Sequence, residues 1–263
     1  MKKILFIILG LLYITSCQQE NQVSDETDNY IEWATGDKLH DEMIWSGIEH
    51  FLNIEREKAY VFFEKAIELD STSFAAHVMI ATMSLPNSEK QEIHYDLAKK
   101  HSIGKNENSK RFVSILDIKS ENGNRGIRGS SKEKNDIWEK MHESEPRGWF
   151  IRFFAATSHP DLNKRIEKLE KLNEIPNGPN KASIINYLGY LYYQAGNMDK
   201  SKESFQKYLE LRPNGYNSFD SMAEFYMYQK DYKEAKKYYE MVLNLFPFSN
   251  SARTSLNQIE NLK

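Results

Sequence analysis

The chain has 263 residues, 40% apolar and 28% charged, and a net charge of −3. That length supports a sizeable core, and the small acidic excess leaves no electrostatic footprint for nucleic acid. Cys17 is the only cysteine, which excludes internal disulfides and cysteine-based metal sites, and 7 Pro, 12 Gly and few alternating β-branched runs point to an all-α fold.

The first element is a leader. Lys2 and Lys3 precede an apolar run from Ile4 to Ile14, followed by Ile14-Thr15-Ser16-Cys17. The order of charge, apolar run and small residues reads as a secretory signal over residues 1–16. The run is too short to cross a hydrocarbon core of about 30 Å. Its last four residues resemble the lipobox of bacterial lipoproteins. The resemblance implies that Cys17 becomes the acylated N-terminus and anchors the chain in the cell envelope. Gln18, where an Asp would imply inner-membrane retention, favours the outer membrane. Stable anchoring takes more than one acyl chain, at about 0.8 kcal/mol per buried CH₂. Loss of Lys2 and Lys3 from 35 basic residues, against 38 acidic ones, takes the net charge from −3 to −5. Residues 17–34 are expected to form a tether, being polar and acidic through Asn29. The folded domain is expected over 35–263.

Helical periodicity begins near His40. Counting His40 as position 1, Gly47 falls at position 8, Ala59 at 20, Phe63 at 24 and Ala66 at 27. Ser73 to His101 follows as a second hairpin. Ala75, Val78, Ala81 and Met83 mark its first helix, Leu85 to Ser88 the turn and N-cap, and Ile93, Leu97 and Ala98 its second helix. A helix is expected over about 109–121. Glu121 to Lys134 is rich in Gly and Ser and reads as an exposed loop. Ile137, Trp138 and Met141 fit a helix ending before Pro146. Trp149 to Thr157 and Leu162 to Leu172 fit another hairpin, ending near Pro179.

The C-terminal third repeats itself. Leu188-Gly189, Tyr192, Ser201, Phe205 and Pro213 recur 34 residues later as Met222-Ala223, Tyr226, Ala235, Tyr239 and Pro247. Residues 250–263 carry Ala252, Leu256 and Ile259 as a further helix. This period and spacing resemble the tetratricopeptide repeat. The resemblance implies an α-solenoid of about six stacked hairpins with a C-terminal capping helix. The clear repeats are 40–73, 182–215 and 216–249, and 74–181 is a degenerate middle. The whole resembles tetratricopeptide-repeat lipoproteins of Gram-negative bacteria, and residues 217–247 are similar to repeats of Bacteroidota envelope proteins. What this implies is a scaffold without catalysis or cofactor, holding a protein or peptide partner. Positions 2, 5, 9 and 12 of each first helix line the groove in such arrays. Here they give Ser183, Asn186, Tyr190 and Tyr193; Asn217, Asp220, Glu224 and Met227; and Asp41, Ile44, Ile48 and Phe51. Asp220 and Glu224 stand where some relatives carry a basic clamp for a carboxylate.

Other chemistry is sparse. The seven histidines form no metal-type pair, and no nucleophile elbow, phosphate loop or dinucleotide fingerprint occurs. Gly123-Asn124-Arg125-Gly126-Ile127-Arg128-Gly129 could hold a phosphate, but it follows no strand, so a flexible loop is the preferred reading. Tyr190 and Tyr193 read either as partner contacts or as inter-repeat packing. Two alternatives stay open: stacking of Trp and Tyr on a glycan or small ligand, and an enzyme site between about 100 and 160, for which no set of acids, bases and nucleophiles can be assembled.

Overall fold

The computed structural model describes residues 30–176, 178 and 180–262. The leader, Cys17, most of the tether and Pro179 lie outside them. Thirteen α-helices occur among the described residues. They pair as α1 (Lys38–Leu52) with α2 (Arg56–Leu69), α3 (Phe74–Met83) with α4 (Glu89–His101), and α5 (Glu107–Ser114) with α6 (Lys132–Ser144). The pairs continue as α7 (Trp149–Thr157) with α8 (Leu162–Asn173), α9 (Lys181–Gln194) with α10 (Met198–Leu211), and α11 (Tyr216–Tyr228) with α12 (Tyr232–Leu245). Helix α13 (Asn250–Asn261) packs on α12 as the cap. Six hairpins and a cap match the stack read from the sequence.

The repeat positions explain the pairing. A Cβ built on Gly189 would lie 2.6 Å from the Phe205 ring, and one on Gly47 would lie 2.8 Å from the Phe63 ring. Both rings are fully buried. The missing side chain at position 8 is therefore the space that the ring at position 24 fills. Ser201, at the small position 20, donates its hydroxyl to the Gly189 carbonyl at 2.8 Å. Asp37, Ser88, Asn106, Ser131, Asp161, Asn197, Asp231 and Ser249 each accept a backbone N–H from the first turn of their helix. Each such cap contributes about 1 kcal/mol. Position 15, in the turn between paired helices, is left-handed in all three clear repeats. Gly196 takes it without cost, while Lys230 (φ 59°) and Ile54 (φ 61°) do not.

Three expectations are corrected. Residues 30–34 are not tether: Ile31 and Trp33 are buried, Trp33 packs on Phe112 and Phe150, and the Tyr30 carbonyl accepts from Asn106. Their apolar side chains outweigh the acidic run before them. The helix expected over 109–121 runs as α5 and one 3₁₀ turn (Ile115–Asp117), then ends. A turn closed by Gly123 at positive φ pairs Lys119 with Arg125 and draws the chain back.

The stretch from 121 to 134 is not an exposed loop throughout. Ile127 is fully buried, and Lys134 Nζ donates to the Gly126 and Arg128 carbonyls. Gln91 Nε2 bridges the Ala81 carbonyl and Asn124 Oδ1. The cause lies in α3, whose residues 74–82 are all buried. A helix apolar on every side must be covered on every side, and this segment covers its C-terminal end.

The array also closes on itself. Tyr208 Oη donates to the Asn53 carbonyl at 3.2 Å, Arg212 pairs with Glu49 at 2.6 Å and Glu55 at 3.0 Å, and Tyr216 Oη donates to Glu57 at 2.6 Å. These contacts join the first hairpin to the fifth and sixth across more than 150 residues of chain.

Candidate functional site

Helices α9, α11 and α13 carry the C-terminal part of the inner face. Positions 2 and 5 are mostly spent on stacking. Ser183, Asn186, Asn217 and Ile44 are buried, Asn186 Oδ1 accepts from the Ser221 hydroxyl at 2.9 Å, and Asn217 Nδ2 donates to Tyr208 Oη. Asn186 is therefore an inter-repeat contact and not a free groove residue. Asp41, at position 2 of the first repeat, accepts from the backbone N–H groups of Thr35 and Gly36 and so ties the chain entry to α1.

Positions 9 and 12 stay partly open. Tyr190 is half-buried against Phe205, and its hydroxyl donates to Glu224 Oε2 at 2.6 Å. Tyr193 stacks on Tyr228 of α11 with centroids 4.3 Å apart, and Tyr228 is 44% exposed. Met227 packs against the C-terminal core instead of standing free.

Asp220 and Glu224 are one helical turn apart on α11, both half-buried. Among the described residues, Asp220 receives only the Ser251 hydroxyl, at 3.5 Å. Burial, then the charge of Glu224, raises Asp220 to about 7, and Glu57 adds to it. Burial raises Glu224 as well, against the hydrogen bond from Tyr190. Two half-buried carboxyls on one helix face, both raised, form a site that gains by receiving a cation.

The first repeat departs from expectation. Phe51 is buried beneath the Arg128 guanidinium, whose carbon lies 4.3 Å from the ring centre, so it is no partner contact. Ile48 is buried but lines a second concavity. This apolar pocket of about 420 Å³ is walled by Tyr30, Trp33, Trp45, Ile48, Trp149 and Phe150, with Glu49 at its edge. Its aromatic walls were missed in the sequence. Trp45, at position 6 of the first repeat, was the signal available in the sequence, and it is 52% exposed.

The histidines do not build a metal centre. His77 and His94 share an Nδ1–Nδ1 contact of 2.9 Å, and burial, then His77, lowers His94 to about 4. Among the described residues no group of three His, Cys, Asp or Glu could hold a metal ion. None of the described helices is long and apolar enough to cross a membrane.

Comparison with known proteins follows the same outline. Models of the tetratricopeptide repeat match residues 182–214 and 220–249. No curated protein sequence matches the chain. Among solved structures, the chain is similar to the APC/C hetero-tetramer Cut9–Hcn1, with 15% identity and a TM-score of 0.47. That match covers 84% of this chain and 42% of the other, so the chain spans less than half of that relative. It is similar to PilW, described as a widely conserved type IV pilus biogenesis factor, with 14% identity, TM-score 0.45 and coverage of 84% and 99%. It is similar to yeast Tom70 at 16% identity and TM-score 0.48, covering 90% of this chain and 55% of the other. Residues 182–214 and 220–249 are tetratricopeptide repeats, and they sit in an all-α solenoid of paired helices.

Proposed function

We propose that this chain is a lipid-anchored, non-catalytic scaffold of the bacterial cell envelope whose inner face holds a basic segment of a protein partner. Tetratricopeptide arrays are in general protein-binding scaffolds, and the lipobox at Cys17 supports the anchor. The observation that carries the partner chemistry is the pair Asp220 and Glu224, half-buried, raised in pKa and flanked by the stacked rings of Tyr193 and Tyr228. A Lys or Arg side chain there would favour the ionised form of both carboxyls and lie against aromatic faces, a favourable cation–π geometry.

A fluorescent Lys- and Arg-rich peptide should bind the wild type, and Asp220→Asn with Glu224→Gln should weaken it about tenfold or more. Hydrogen bonds to charged groups contribute about 1.5–3 kcal/mol each. Asp220 titrates near 7 in the free protein, so wild-type affinity should fall as pH drops from 8 to 6. Equal binding of a Glu-rich peptide, or a double variant that binds like wild type, would remove the acidic pair from the function. For the anchor, metabolic acyl labelling should mark the wild type and vanish in Cys17→Ser; labelling that persists in the variant sinks that half of the reading.

One observation favours a second reading. The aromatic pocket lies within the roughly 300–1,000 Å³ usual for small-ligand sites. Binding of a small apolar or glycan ligand there would quench the fluorescence of Trp45 and Trp149 without involving Asp220. The basic peptide should leave those residues unchanged.

A further inference from the structure

The segment from Gly123 to Gly129 does more than cover α3. Beside it lies a cavity of about 220 Å³ lined by Phe51, Ile54, Arg56, Thr82, Asn124 and Arg128. Two guanidiniums meet there, and their hydrogen bonds run to helix-end carbonyls. Arg56 Nη2 donates to the Met83 carbonyl at 3.2 Å, and Arg128 Nη2 donates to the Phe51 carbonyl at 2.5 Å. Neither forms an ion pair with a carboxylate among the described residues. Thr82 is 6% exposed, and its hydroxyl has no hydrogen-bond partner. Ile54, at the cavity wall, is a β-branched residue held at φ 61°. Such a conformation costs on the order of 1–3 kcal/mol and persists where the surroundings enforce it.

Capping the ends of α1 and α3 accounts for one donor of each guanidinium. A guanidinium has five N–H donors in a planar fork suited to bidentate oxyanion binding. Capping explains neither why two like charges converge nor why a buried hydroxyl is unsatisfied beside them. Burial, opposed by Tyr187 and reinforced by the charge of Arg56, lowers Arg128 to about 10. An anion between the two guanidiniums would favour their charged form.

We propose that this cavity binds a small oxyanion, a phosphate, sulfate or carboxylate group. Arg56 and Arg128 supply the charge, and the Thr82 hydroxyl and Asn124 amide supply further donors. The size agrees, since 220 Å³ falls below the range of drug-sized sites. The site joins loop, first hairpin and second hairpin, so its occupant would tie the irregular middle to the start of the array.

The test uses the full chain in detergent, with thermal unfolding followed in sodium phosphate, sulfate, acetate and chloride at matched ionic strength. At tenfold excess over its Kd the preferred oxyanion should raise Tm by about 3–6 °C. Which salt does so identifies the oxyanion. Arg56→Gln, at an exposed residue, should abolish the shift. Thr82→Val removes an unsatisfied hydroxyl, so it should fold as well as wild type while weakening the ion about fivefold or more. The proposal is overturned if no oxyanion exceeds chloride, or if both variants respond as wild type does.

Discussion

Replacing Arg212 with Ala should lower stability by about 2–3 kcal/mol and Tm by about 5–10 °C. Glu55, its partner, is 1% exposed, and Arg212 itself keeps a side-chain exposure of 20%. Burial works against ionisation of Glu55. The hydrogen bond from His50 and the charges of Arg212 and Lys58 outweigh it and hold the carboxyl below its ordinary value. Removing one partner of a buried pair leaves the other charged and poorly solvated, which costs about 3–5 kcal/mol at full burial. Here His50 and Lys58 remain, so the smaller figure applies. A carboxyl with a depressed native pKa stabilises above its unfolded value near 4.5, and that stability is lost as pH falls through the native value. The gap between wild type and Arg212→Ala should therefore narrow below about pH 4.5. Adding Glu55→Gln to Arg212→Met should recover much of the loss. Small-angle scattering should show a larger radius of gyration for Arg212→Ala, since the first hairpin is released from the fifth. A variant as compact and as stable as wild type would show that closure does not depend on this pair.

That closure was invisible in the sequence, and the reason is physical. Gly189, Phe205, Ala223 and Tyr239 specify contacts within a hairpin, which recur at a fixed period and can be read from it. Arg212 and Glu55 meet only because small rotations between successive hairpins accumulate into a curve. Curvature is a sum over every interface, the degenerate ones included, and no single residue encodes it. The same distinction applies to the inner face. Position counting assigns Tyr190, Tyr193, Asp220 and Glu224 to the groove side as an expectation. It could not tell that Asn186 would be consumed by Ser221 of the next repeat, or that Phe51 would lie beneath Arg128. Both outcomes depend on what a neighbouring element brings, and in the second case that element is an irregular loop.

The degenerate middle carries a core as substantial as the repeats, and Trp138→Ala should demonstrate it with a loss of about 3–5 kcal/mol. Trp138 is fully buried on α6. Its ring stacks on Phe154 with centroids 4.9 Å apart and meets Phe112 and Phe150 at 6.0 and 6.1 Å. Trp33, from the entering chain, packs on Phe112 and Phe150 in turn. One side chain thus joins α5, α6 and α7, and its loss leaves a cavity that rigid rings cannot collapse into. Trp138→Phe should behave differently. The indole N–H is buried without a partner, and removing an unsatisfied donor recovers about 1–3 kcal/mol against the smaller cavity that Phe leaves. The Phe variant should therefore stay within about 1.5 kcal/mol of wild type. Urea unfolding followed by circular dichroism reads both. If Ala costs no more than Phe, the cluster does not hold the middle of the array together. If both are costly, the indole nitrogen has a partner in solution. A marked Ala loss in a single cooperative transition would mean that 107–157 unfolds with the regular repeats. The irregular hairpins would then transmit stability along the stack, as nearest-neighbour coupling in a solenoid requires.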